Sequence, residues 1–108
     1  MSSPNVTSFD LAALEPKAAQ AADLLASMAH PKRLMVLCNL LQSELPVGEL
    51  AQRVGLSQSA LSQHLAKMRA LRLVKTRRDG QTIYYSLASS EVGAVLNTLY
   101  RLYCAPEL

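Results

Sequence analysis

Residues 56–74 read LSQSALSQHLAKMRALRLV and are followed at once by RRDGQTIYY, and this stretch constrains the fold more than any other part of the chain. It spells a polar-faced helix with basic residues toward its end, then a strand, a tight turn and a second strand. That order is what a protein needs to put one helix into a DNA major groove and a hairpin against the adjacent phosphates.

Ser57 stands where a helix N-cap belongs, just after Gly55 and Leu56, and its hydroxyl can accept from the backbone N–H groups that a first turn leaves free. Leu61, Leu65 and Met68 recur at helical spacing and make one apolar face. The opposite side carries Ser59, Ser62, Gln63 and Lys67, of which Ser59, Gln63 and Lys67 follow at i, i+4 and i+8. Gln pairs bidentately with adenine, Ser serves several base edges, and Lys reaches guanine or phosphate. A solvated helix face is the ordinary fate of such a stripe. The preceding residues argue for more: residues 47–54 form a short helical pattern through Leu50, Ala51 and Val54, closed by Gly55, which suits the left-handed position after a helix. A short helix, a Gly-containing turn and a polar-faced helix make a helix-turn-helix.

Residues 73–77 and 82–87 are rich in β-branched and aromatic side chains, and Asp79-Gly80 between them signals a tight turn with positive φ. Ile83, Tyr85 and Leu87 fall on one face by the two-residue period of a strand. The chain has 108 residues with eleven Lys and Arg against eight Asp and Glu, so its net +3 says little. Distribution says more. Residues 50–78 hold no acid, yet Arg53, Lys67, Arg69, Arg72, Lys75, Arg77 and Arg78 all lie there, as a phosphate-binding footprint requires. The expected groove contacts are Ser59, Ser62, Gln63 and Lys67, with Ser57 and Gln58 near phosphate and Arg77, Arg78 and Gln81 on the wing. His64 is expected at the edge of the apolar face, as a structural imidazole or a phosphate contact.

The run from Ser57 to Leu65, with Leu73-Val74 and the residues from Arg77 to Tyr85, resembles the ArsR/SmtB family of bacterial winged-helix repressors. His30-Pro31-Lys32-Arg33-Leu34 is similar to that family's second-helix opening, and the likeness covers residues 18–104. Cys38, Cys104 and the stretch Val47-Gly48-Glu49-Leu50 resemble the subgroup of BigR, SqrR and HlyU. The resemblance implies a homodimer built from the first and last helices, and a sensor of reactive sulfur or oxidants.

Metal sensing is disfavoured by the residues themselves. Metal-sensing members carry Glu-Leu-Cys-Val-Cys-Asp-Leu where this chain has Glu44-Leu45-Pro46-Val47-Gly48-Glu49-Leu50, so both thiolate positions are Pro46 and Gly48. Residues 91–104 contain neither His nor Asp, which removes the imidazole and carboxylate ligands of a zinc site there. His30, Cys38 and Cys104 follow no chelating spacing. No metal and no other cofactor is expected.

On its own, Cys38 reads as a small hydrophobe on an apolar helix face, and Cys104 as incidental near the chain end. With the resemblance, the two become the candidate redox-sensing pair. Cys104 has Arg101 one turn back, whereas Cys38 has Leu34 and Met35 at those positions and would be raised in pKa by burial. Cys104 is therefore expected to react first with a persulfide or oxidant and Cys38 to resolve it. A bridge with extra sulfur atoms is needed if the Cα atoms stand more than about 7 Å apart. A thiol-disulfide oxidoreductase is the enzymatic alternative, but no C-x-x-C is present, and the chain is not expected to be an enzyme.

Leu14, Ala18, Ala21, Ala22, Leu25 and Met28 trace an apolar face along a first helix broken at His30-Pro31. A second helix, residue 31 to about 42, is expected to bury Leu34, Leu37, Cys38 and Leu41. A last one, about 90–104, carries Val92, Val95, Leu96, Leu99, Leu102 and Tyr103. These faces exceed what one small core needs, and the surplus on the first and last helices is assigned to a dimer contact. A two-fold dimer presents two reading helices to half-sites of an inverted repeat about one helical turn apart.

The fold expected is mainly α with a small β-hairpin, a dimeric winged helix-turn-helix of four helices, two strands and a closing helix. Residues 1–9 read as a flexible N-terminal segment and 10–105 as the DNA-binding and dimerisation domain. No apolar run is long enough for a membrane and no signal pattern opens the chain, so a cytoplasmic regulator is expected, with thiols reduced at rest. Repressor and anti-silencing activator need the same reading head and stay open as alternatives.

Overall fold

The computed structural model describes residues 9–104, so the segment 1–9 expected to be flexible lies outside it except for Phe9. In chain order the elements are α1 (Leu11–Leu14), a 3-10 turn (Glu15–Lys17), α2 (Ala18–Met28), α3 (Pro31–Gln42), β1 (Leu45–Pro46), α4 (Val47–Val54), α5 (Gln58–Ala70), β2 (Val74–Asp79), β3 (Thr82–Leu87) and α6 (Ser90–Tyr103). This is the expected winged helix with two additions. The first helix is interrupted where Pro16 sits in the 3-10 turn, because proline has no N–H to continue the α-helical ladder. A third strand, β1, joins the hairpin, giving an antiparallel sheet in the order β1–β3–β2.

The core lies where α3, α4, α5 and α6 meet the inner face of the sheet. Leu37, Leu50, Leu61, Leu65, Met68, Val36 and Val92 are its fully buried side chains. On α3 the buried residues are Val36, Leu37 and Leu40, while Leu34 and Cys38 are half-buried and Leu41 is exposed. The inward face is thus turned relative to the expected set of Leu34, Leu37, Cys38 and Leu41. Both sets satisfy helical spacing, and packing against α6 and the sheet chooses between them.

The hairpin is one step out of the expected place. Asp79 closes β2 in register with Thr82, and the two-residue turn is Gly80–Gln81, with Gly80 at φ 65. Tyr85 and Leu87 pack on the core, whereas Ile83 projects with the wing and is exposed. Val74, opposite Leu87, is buried at the hairpin root. The wing is therefore a well-anchored base with an extended tip.

Much apolar surface is left at the two ends of the chain. Helix α2 buries only Ser27 and Met28 and half-buries Leu24, leaving Leu25 exposed beside the bare alanines, as Leu14 is at the end of α1. Helix α6 buries Val92, Gly93 and Leu96 and leaves Tyr100, Leu102 and Tyr103 exposed. No helix among the described residues is long and apolar enough to cross a membrane.

Candidate nucleic-acid interface

The reading helix is built from both ends. Ser57, extended at ψ 156, caps α5 by accepting from the Ala60 N–H at 3.1 Å. Gly55 sits at φ 71, where its left-handed backbone lets the Gly55 and Leu56 amides both return to the Ala51 carbonyl. At the far end Arg72 takes φ 64, and the Leu73 N–H turns back to Met68 O at 2.9 Å, sending the chain directly into β2. These local closures fix the angle between α4, α5 and the wing.

With Leu61, Leu65 and Met68 fully buried, α5 presents Ser57, Gln58, Ser59, Ser62, Gln63 and Lys67 to solvent on one side. Apart from the Ser57 cap, these side chains hold no hydrogen bond or ion pair among the described residues. Such a face has donors and acceptors to spare for base edges and phosphates. On the wing, Arg78 and Gln81 are likewise exposed.

Two of the cations expected in the footprint are engaged within the protein. Arg53 pairs with Glu49 one turn earlier at 2.7 Å. Arg77 donates to both carboxylate oxygens of Glu44, at 3.0 and 2.8 Å. Lys67, Arg69, Arg72, Lys75 and Arg78 have no acidic partner among the described residues. The partners of Arg53 and Arg77 lie just upstream of the acid-free stretch, which is why counting charge within residues 50–78 missed them.

His64 is half-buried against α3. Its ring lies 5.1 Å from that of His30, and its Nδ1 accepts from Arg33 Nε at 3.4 Å. Burial first, then the charge of Arg33, holds its pKa below the ordinary 6.5. His64 thus joins the reading helix to the start of α3. Sequence reasoning missed the rest of that junction, in which Lys32 Nζ donates to Val54 O and Arg33 Nη1 to Ser27 O. The His30–Arg33 run was its only signal.

Both cysteines are free. Cys38 is half-buried on α3 against the core, and burial pushes its thiol above the ordinary 9.0, with a thiolate at Cys104 adding to the rise. Cys104 is exposed at the C-cap of α6. The helices that carry the two cysteines, α3 and α6, pack against each other. Among the described residues no three His, Cys, Asp or Glu side chains cluster as metal ligands.

Comparison with known proteins agrees with this geometry. The family described as bacterial regulatory protein, arsR family, matches residues 30–76. Transcriptional activator HlyU of Vibrio cholerae is 53% identical over 96 residues, covering 89% of each chain. The biofilm growth-associated repressor of Xylella fastidiosa strain 9a5c is 39% identical over 104 residues, 96% of this chain and 89% of that protein. Among solved structures, BigR from Xylella fastidiosa superposes with a TM-score of 0.84 at 38% identity, covering 90% and 99% of the two chains. Reduced HlyU from Vibrio cholerae superposes at 0.80 with 53% identity, covering 85% and 97%.

Proposed function

Since the chain belongs to the arsR family of bacterial regulatory proteins, and is thus a DNA-binding transcriptional regulator and not an enzyme, we propose that it is a cytoplasmic homodimeric repressor whose DNA affinity is set by a thiol switch between Cys38 and Cys104. The observation that carries this reading is that α3, with the half-buried Cys38, packs against α6, which ends at the exposed Cys104. One of these helices supports the reading head and the other leaves apolar surface exposed for a partner copy. In the reduced state Ser59, Ser62, Gln63 and Lys67 enter the major groove of each half-site of an inverted repeat, Ser57 and Gln58 meet phosphate, and Arg78 and Gln81 extend the contact from the wing.

A persulfide transfers sulfur to the Cys104 thiolate and leaves as a thiol. Attack by Cys38 then forms the disulfide and expels hydrogen sulfide. A bond between α3 and α6 ties the reading head to the dimer seam and changes the separation of the two α5 helices. Allosteric couplings of about 1–3 kcal/mol correspond to a five-fold to more than hundred-fold change in affinity. The described relatives include an activator as well as a repressor, and the 53% identity to HlyU favours a second reading, activation by displacing a silencing protein.

The test is affinity for a palindrome from the protein's own promoter region, before and after persulfide treatment, with mass spectrometry of both thiols. Weaker binding by a bridged protein, absent in Cys38→Ser and Cys104→Ser, is the expected result. Thiols that remain free under persulfide, peroxide and disulfide-glutathione alike overturn the switch.

A further inference from the structure

Arg77 crosses the whole sheet. It stands on β2, its guanidinium carbon lies 4.8 Å from the ring centroid of Tyr84 on β3, and it ends on both oxygens of Glu44, the residue before β1. Tyr85 faces the core, so alternation puts Tyr84 on the outer face with Arg77. The strap closes where backbone pairing is thinnest. β1 has two residues, and its Pro46 has no N–H to give to β3.

We propose that Glu44 and Arg77 are positioning residues for the wing, holding the β2–β3 hairpin at one tilt on the body and so setting where Arg78 and the Gly80–Gln81 turn meet DNA. This rests on the DNA-binding reading above. It gives an acidic residue a favourable role in binding an anion, which simple charge arithmetic would not. A carboxylate that only borders the interface repels phosphate, and removing it strengthens binding. One that fixes the wing weakens binding when it is lost. The two-oxygen geometry adds direction to the pair, which a monodentate lysine contact would lack. The hydrogen bond from Arg77 also holds the Glu44 carboxyl below its ordinary 4.5, so the pair persists into more acid solution than a free glutamate would allow.

The full chain is measured in two ways. On a palindromic duplex at several salt concentrations, Glu44→Gln and Arg77→Gln each weaken binding roughly two- to fivefold, the scale of an exposed pair with good geometry. The double variant loses no more than either single one, and the swap Glu44→Arg with Arg77→Glu recovers binding. The salt slope stays unchanged in all of these, whereas Arg78→Gln, lost from both protomers of the dimer, lowers it by about two. Tighter binding by Glu44→Gln, or a reduced slope for Arg77→Gln, overturns the strap. Without DNA, hydrogen exchange of β2 and β3 amides near the turn speeds up in Glu44→Gln and Arg77→Gln while α5 amides do not change. Unchanged wing exchange overturns it as well. Lack of specific binding by the wild type strikes the DNA-binding reading alone, because the exchange measurement still decides the strap.

Discussion

Lys32 reaches from the first turn of α3 to the Val54 carbonyl at 2.6 Å and closes the last turn of α4 at the bend of the helix-turn-helix. The same opening turn is capped by His30, whose Nδ1 accepts from the Lys32 N–H at 3.0 Å. Arg33 bonds in two directions, to Ser27 on α2 and to His64 on α5. Lys32 and Arg33 thus fasten three helices, α2, α4 and α5, around α3. Replacing Lys32 by Met keeps the apolar stem and removes the donor to a helix C-terminus. Loss of one charged hydrogen bond should cost about 1–2 kcal/mol and lower the thermal midpoint by roughly 5–10 °C. A midpoint equal to the wild type would show that the bond contributes nothing net.

His64 makes the same junction sensitive to acid. Its Nδ1 accepts only when the imidazole is neutral, and its folded pKa lies below 6.5 because of burial and the Arg33 charge. The unfolded chain therefore takes up a proton before the folded one does. The stability that His64 contributes is complete above about 6.5 and is lost as pH falls through the lower folded value. His64→Asn offers an oxygen to Arg33 without titrating. Urea unfolding at pH 7.5 and pH 5 should show a larger fall for wild type than for this variant, and equal falls would exclude the effect.

The thiols should differ in reactivity. Cys104 is exposed, while the Cys38 thiol is half-buried and raised above 9.0, first by burial and then by Cys104. Under limiting alkylation at neutral pH, peptide mapping should find Cys104 modified first and Cys38 only as pH climbs past the ordinary thiol range. Cys104→Ser should shift Cys38 labelling toward lower pH by removing the second cause. Faster labelling of Cys38 in the reduced wild type would reverse the proposed roles of attacking and resolving thiol.

Gln63 and Arg78 should separate reading from holding. Gln63→Ala should narrow the gap between the palindrome and random DNA, by about 1–3 kcal/mol if Gln63 pairs with adenine. Arg78→Gln should weaken both alike and flatten the salt dependence. Equal losses of both variants on both duplexes would remove these assignments.

What could be read in the chain was what local chemistry decides. Ser57 caps α5 because a hydroxyl beside free amides does so wherever it occurs, and Gly55 marks the end of α4 through its left-handed φ. Pro16 carries an equally local signal for the break before α2, which the reading of one first helix from Leu14 to Met28 passed over. Features decided by distant partners were less legible. Leu45 and Pro46 form a strand only because Tyr84 and Tyr85 lie beside them. The turn moved by one residue because β2 runs on to Asp79, where pairing with Thr82 holds it. The candidate site divides in the same way. Ser59, Gln63 and Lys67 followed from helical period, whereas the partner that occupies Arg77 lies well upstream at Glu44 and no local pattern announces it.

β2 is the outer strand of the sheet, and its far side pairs with no strand among the described residues. An open edge of this kind invites pairing with the same strand of another molecule, and charged side chains are the usual protection. Lys75 and Arg78 stand on that edge. The charge proposed to meet phosphate therefore also protects this edge against stacking with other copies. Neutralising both to abolish DNA binding would cost colloidal solubility along with affinity.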